Sequence, residues 1–102
     1  MKALHLIIHG RVQGVGYRDW LLTTARLHHL HGWVRNLTNG TVEAVLAGPD
    51  EAVMACLSAC HQGPGAANVC QIDVHPYQEQ VLPHFERRQT ETATRQGHKN
   101  CL

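Results

Sequence analysis

The stretch best suited to chemistry is a glycine-rich run that ends in an arginine. It reads Gly10-Arg11-Val12-Gln13-Gly14-Val15-Gly16-Tyr17-Arg18, and we interpret it as a strand end, a turn and the first turn of a helix. Glycines can adopt positive φ, so a turn of this kind can aim successive backbone N–H groups at one point. Because the positive end of a helix dipole lies beside those donors, the run favours an anion.

Arg18 supports this interpretation because it stands where a cation is unfavourable. A positive charge in the first turn of a helix costs about 0.3–1 kcal/mol. An anion bound between the turn and Arg18 removes that conflict, and a planar guanidinium suits phosphate. The run lacks the G-K-[ST] sequence of nucleotide P-loops and does not fit a Rossmann fingerprint. Taken alone, it fits a tight strand-to-helix turn without a ligand equally well.

A second segment places an asparagine inside a predicted strand. It reads Gly32-Trp33-Val34-Arg35-Asn36-Leu37-Thr38-Asn39-Gly40-Thr41-Val42-Glu43. Asparagine is disfavoured in strands, whereas the carboxamide of Asn36 offers an acceptor and two donors that could hold a water in line with a phosphorus atom. By itself, Asn36 is explained more simply as a residue that shapes the approach to a hairpin.

The elements that must position these residues follow from apolar periodicity and turn signals. Alternating apolar residues predict a first strand over about residues 4–12, and helical spacing predicts a helix over 17–29. Asn39-Gly40 predicts a two-residue type I′ hairpin. The other predicted elements are strands at 33–37, 41–47 and 69–77, a helix that opens at Gly48-Pro49-Asp50 and ends before Gly63, and a short strand at 84–88.

This order of elements predicts an α+β, ferredoxin-like βαββαβ fold. Right-handed crossovers place both helices on one face of an antiparallel sheet with strand order 4-1-3-2, plus the short fifth strand. We expect one domain over residues 1–90 and a flexible C-terminal tail over 91–102, where apolar periodicity is absent.

Together the two segments resemble the acylphosphatase family. The first matches its G-x-V-Q-G-V-x-[FY]-R signature, the second matches its G-x-V-x-N-x-x-x-G-x-V-E pattern, and the resemblance covers roughly residues 3–88. It implies hydrolysis of the carboxyl–phosphate bond of acyl phosphates without metal, cofactor or covalent intermediate. It also implies that Asn36 orients the attacking water and that inorganic phosphate is both product and inhibitor. The implied phosphate ligands are the guanidinium of Arg18 and the backbone of Gln13, Gly14, Val15, Gly16 and Tyr17.

So sparse a site is chemically sufficient for this reaction. The leaving carboxylate is a stable anion and needs no strong general acid, and phosphoryl transfer depends mainly on positioning and charge stabilisation. The site as predicted binds the phosphate and offers little to recognise the acyl part, so we expect broad specificity.

The chain departs from the family where the first helix ends. The family commonly has Leu-Gly-Leu-x-Gly there, whereas this chain has His28-His29-Leu30-His31-Gly32. His29 stands at the left-handed glycine position, at a cost on the order of 1 kcal/mol.

Composition narrows the functional classes. The chain has 102 residues, 43% of them apolar, and a formal net charge of +1, which fits one small globular domain and disfavours a nucleic-acid binder. No run of apolar residues is long enough for a membrane span and no signal peptide is evident, so we expect a cytoplasmic protein. We also expect a monomer.

The four cysteines form no C-x-x-C pair and are expected to be free thiols, with Cys56 and Cys60 as small core residues.

The sequence has three alternative interpretations. The nine histidines include a cluster at His28, His29 and His31, but no zinc-site spacing, so we expect no metal and leave the role of the cluster open. Ferredoxin-like sheets also bind RNA, but the predicted central strands lack the aromatic residues needed. A non-catalytic phosphate-binding module is the remaining alternative, since acylphosphatase-like domains also begin hydrogenase-maturation carbamoyltransferases. A single domain favours a free-standing enzyme.

Overall fold

The fold has two helices and five strands in the predicted order. A computed structural model describes residues 1–93. Its elements are β1 (Lys2–Arg11), α1 (Tyr17–Leu27), β2 (His31–Asn36), β3 (Val42–Gly48), α2 (Asp50–Cys60), β4 (Asn68–Pro76) and β5 (Phe85–Arg87). This order confirms the βαββαβ prediction with a short additional strand.

The strands form one sheet in the order β4-β1-β3-β2-β5. The pairs β1–β3, β1–β4 and β2–β3 are antiparallel, while β5 adds to the outer edge of β2 in parallel. The predicted 4-1-3-2 order is therefore confirmed. Apolar side chains of the central strands and both helices share one buried core, which includes Leu6 and Ile8 of β1, Leu21 of α1 and Val53 of α2.

Tyr17 links the glycine-rich turn to α2. Its side chain is buried, and its hydroxyl donates a 2.6 Å hydrogen bond to the backbone oxygen of Cys60 at the end of α2. Burial raises the pKa of Tyr17 well above its usual value, so the residue stays a neutral donor. The first residue of α1 is thereby fixed against the end of α2.

The end of α1 confirms the prediction made for His29. This residue has φ 58°, and within residues 1–93 it is the one non-glycine residue with positive φ. The amide of Leu30 donates to the carbonyl of Ala25, which closes the helix in the way that a left-handed C-terminal residue permits.

The prediction of a type I′ hairpin is wrong. Such a turn needs positive φ at both central residues, and Gly40 has φ 93° while Asn39 does not have positive φ. Instead the Asn39 Oδ1 accepts hydrogen bonds from the backbone N and the hydroxyl of Thr41, at 3.1 and 2.7 Å. The asparagine side chain therefore holds a longer loop over residues 37–41 between β2 and β3.

The cysteines follow the sequence prediction only in part. Cys56 and Cys60 are buried free thiols in the core, as predicted. Cys70 on β4 is disulfide-bonded, so the prediction of a free thiol is wrong there. Cys101 lies outside the described residues.

The chain after β5 continues along the β2–β3 loop. The amide of Glu91 donates to the carbonyl of Asn36 at 2.9 Å, and the amide of Thr38 donates to the carbonyl of Glu91 at 3.0 Å. The amide of Ala93 also donates to the hydroxyl of Thr38 at 3.0 Å. Residues 94–102 of the tail predicted over 91–102 lie outside the described residues. Neither helix in the described part of the chain has the length and apolar character needed to cross a membrane.

Candidate active site

The glycine-rich turn leaves the amides at the start of α1 without a side-chain partner. Gly14 and Gly16 have φ 72° and 80°, in the left-handed region, and Gly16 is the N-cap of α1. No side chain caps this helix. Because the first N–H groups of a helix have no partner within it, they are available to an external acceptor.

A small cavity lies over this turn. Its volume is about 90 Å³, and its lining consists of Val12, Gln13, Gly14, Gly16, Tyr17, Arg18, Asp19, Asn36 and Arg87. Six of the residues predicted for the site therefore meet in one place. Val15 does not line the cavity, and its side chain packs against the core.

Asn36 reaches this cavity from the last position of β2. Its backbone is held by pairing with Val42 of β3 and by the hydrogen bond from Glu91. Its side-chain Oδ1 is buried and has no hydrogen-bond partner. Buried acceptors without a partner are costly and rare in native proteins. The free oxygen is thus available to accept a hydrogen bond from a donor, such as water, within the cavity.

The side chain of Gln13 joins the two halves of the site. Its Nε2 donates to the carbonyls of Leu37 and Thr41, each at 2.8 Å. These carbonyls lie at the two ends of the β2–β3 loop, because Leu37 directly follows Asn36 and Thr41 directly precedes β3. Gln13 therefore fixes the distance between the glycine-rich turn and the asparagine, which is a function that the sequence did not reveal.

The charges in the cavity leave one cation free. The Arg87 guanidinium is paired with the carboxylate of Asp19. In the described part of the chain, Arg18 has no hydrogen bond or ion pair with another side chain. The cavity accordingly combines free backbone N–H groups with an uncompensated guanidinium, a combination suited to a phosphate group.

Arg87 was not predicted as a site residue. It lies 68 positions after Asp19 in the sequence, and nothing in the pattern around it distinguishes it from the neighbouring arginine. Only the pairing of β5 with β2 brings it to the cavity.

Residues 1–93 contain no group of three His, Cys, Asp or Glu side chains that could hold a metal ion.

Comparisons with known proteins agree with this geometry. The acylphosphatase family profile matches residues 4–87. An acylphosphatase of Azorhizobium caulinodans is 59% identical over 69% of this chain and 75% of its own length. One from Acidiphilium cryptum is 49% identical over 88% of this chain and 99% of its own. The solved structure of an acylphosphatase from Coxiella burnetii superposes with a TM-score of 0.81 at 30% identity, covering 85% of this chain and 92% of that one.

Proposed function

The chain belongs to the acylphosphatase family and hydrolyses the carboxyl–phosphate bond of acyl phosphates, and we propose that it does so by direct attack of a water that Asn36 orients. In this proposal the phosphate lies between the Arg18 guanidinium and the backbone amides of residues 13–17. The observation that carries the proposal is the buried, unpartnered Oδ1 of Asn36 in the same cavity as the free guanidinium.

The reaction then proceeds by a single displacement at phosphorus. The water oxygen forms a bond to phosphorus as the bond from phosphorus to the acyl oxygen breaks. The acyl group leaves as a carboxylate, and the protons of the water remain on the inorganic phosphate. Arg18 and the amides stabilise the charge on the equatorial oxygens, which is where phosphoryl transfer benefits most. Asn36 supplies the position of the nucleophile, so its contribution is to the rate of the chemical step.

Two substitutions separate these roles. Arg18→Gln removes a charge-assisted contact to the phosphate, so we expect kcat/KM to fall by about 10³-fold or more. Inhibition by inorganic phosphate should weaken at least about tenfold. Asn36→Ala should lower kcat by at least about 100-fold and leave phosphate inhibition within about threefold of wild type. Steady-state hydrolysis of benzoyl phosphate, with phosphate as inhibitor, measures both.

Matched controls exclude general effects of charge or folding. Arg11→Gln removes the same charge from an exposed residue outside the cavity lining, and Asn68→Ala truncates an exposed asparagine on β4. Both should keep near-normal rates. Near-normal kcat in Asn36→Ala would refute the role of Asn36, and absence of turnover by folded wild-type protein would refute the enzyme itself. Turnover in excess chelator should be unchanged, since we propose that no metal or cofactor takes part.

We further propose that the chain acts as a cytoplasmic monomer on small-molecule acyl phosphates and does not bind nucleic acid. The near-neutral net charge and the absence of Phe, Trp and Tyr from the central strands β1 and β3 support the absence of nucleic-acid binding. Light scattering on the purified protein should give the mass of one chain.

A further inference from the structure

A second cavity adjoins the one that we propose to hold the phosphate. It has a volume of about 340 Å³ and is lined by Arg18, Arg87, Arg88, Gln89 and Thr90. Two of these residues, Arg18 and Arg87, also line the smaller cavity. Because the smaller cavity has only about 90 Å³, a substrate whose phosphate occupies it must extend its acyl group elsewhere. The second cavity shares two walls with the first and offers that space.

The wall of this second cavity is held in place by contacts outside it. The amide of Arg88 donates to the carbonyl of Val34 at 2.8 Å, and its guanidinium lies 4.7 Å from the ring centre of Trp33. The Arg88 Nε also donates to Glu86 at 2.6 Å. The segment that carries Gln89 and Thr90 is thus anchored to β2.

The lining of the second cavity is polar and cationic. It contains three arginines and two uncharged polar residues, and no aliphatic or aromatic side chain. Glu86 already binds Arg88, and the proposed phosphate engages Arg18. Arg87 therefore remains as the cation between the two cavities, with Asp19 as its counter-ion.

The ion pair of Arg87 leaves it able to bind a second anion. Its side chain is 41% exposed and that of Asp19 is 69% exposed. An ion pair so open to water is weak, because solvent screens it. An arginine has five N–H donors, and the contact with Asp19 engages Nη1, so other donors remain for an anion in the second cavity.

We propose that Arg87, with Gln89 and Thr90, forms a subsite for a second anionic group, so that the enzyme prefers acyl phosphates whose acyl part carries a carboxylate. This inference rests on the proposed function, because it assumes that the phosphate lies beside Arg18. It differs from the broad specificity that the sequence predicts. Asp19 acts here as the counter-ion of Arg87, which lowers the attraction of Arg87 for a second anion.

The test compares two substrates of nearly the same shape. The substrates 4-carboxybenzoyl phosphate and 4-carbamoylbenzoyl phosphate differ in the charge of one group and not in the phosphate. We expect the ratio of their kcat/KM values to favour the carboxylate by about fivefold in the wild type, and less at 1 M salt. Arg87→Gln should bring the ratio close to one. Asp19→Asn should raise it above the wild-type value, and the double variant should return it close to one.

This ratio separates the inference from the proposed function. Any general loss of folding or phosphate binding affects both substrates equally and cancels. Asn36→Ala changes the chemical step and should leave the ratio intact, so a failure of the water-orienting role is seen in kcat alone. Arg11→Gln is the matched loss of a positive charge outside both cavities and should keep the wild-type ratio. A wild-type ratio within twofold of one, or a ratio that Arg87→Gln and Asp19→Asn leave unchanged, would overturn the subsite.

Discussion

Gln13 provides the most direct test of how the fold positions the site. Gln13→Ala removes both hydrogen bonds from Nε2 to the β2–β3 loop. Each bond is worth about 0.5–1.5 kcal/mol net. Both carbonyls keep another donor, since the carbonyl of Leu37 also accepts from the amide of Gly40 and that of Thr41 accepts from the amide of Leu37. No buried carbonyl is left without a partner, so the free energy of unfolding should fall by only about 1–2 kcal/mol.

The catalytic effect of Gln13→Ala should exceed what this loss of stability explains. The folded variant no longer has a fixed distance between the glycine-rich turn and Asn36. A shift on the order of 1 Å in a positioning group can cost about 100-fold in rate. We expect kcat for benzoyl phosphate to fall by about 10- to 100-fold, while inhibition by inorganic phosphate stays within about threefold of wild type.

Two further variants complete the test. Gln13→Glu replaces the donor by an anion that faces two carbonyls, so it should destabilise the protein more than alanine does. Gln80→Ala alters an exposed glutamine in the loop after β4 and should change neither property. Urea unfolding and steady-state kinetics give the two quantities. If Gln13→Ala lowers stability and leaves kcat unchanged, Gln13 is a purely structural residue and the positioning argument is wrong.

Two other predictions concern the sheet. Gly32 has φ 135° and a Cβ there would lie 1.9 Å from a backbone oxygen of β3, so Gly32→Ala should destabilise by about 2–4 kcal/mol in urea unfolding. Gly65→Ala is its control, because that position is open, and it should be neutral or slightly stabilising. Burial would raise the pKa of Glu43, but hydrogen bonds from His5 and Arg35 outweigh burial and lower it below 4.5. The stabilisation from the Glu43 carboxylate is therefore present above pH 4.5 and lost as the pH falls below that value. Glu43→Gln should flatten this loss in unfolding measurements at a series of pH values, and an unchanged pH slope would contradict the assignment.

The local parts of the site were predictable from sequence because they depend on short-range physics. Glycine at positions 14 and 16 allows positive φ, and the first turn of a helix always has free amides, so a turn suited to an anion follows from the run itself. The strand order followed from the sequence of elements, because handedness and short connections leave few topologies. The hairpin type was mispredicted because the side chain of Asn39 binds Thr41, and a two-residue pattern does not show that competing contact.

What only the tertiary structure decided is which distant residues face the turn. Asn36 and Ile8 both pair with Val42, so one strand separates β1 from the asparagine, and the side chain of Gln13 bridges the remaining gap. Arg87 enters the site because β5 pairs with β2 in a register that no local pattern encodes. The sequence by itself determined a turn suited to an anion, an arginine beside it and an asparagine whose carboxamide could hold a water. Their placement in one cavity, and the cationic space beside it, depend on packing between segments far apart in the chain. This packing is stabilised by long-range contacts, which the conformational preferences of single residues do not encode.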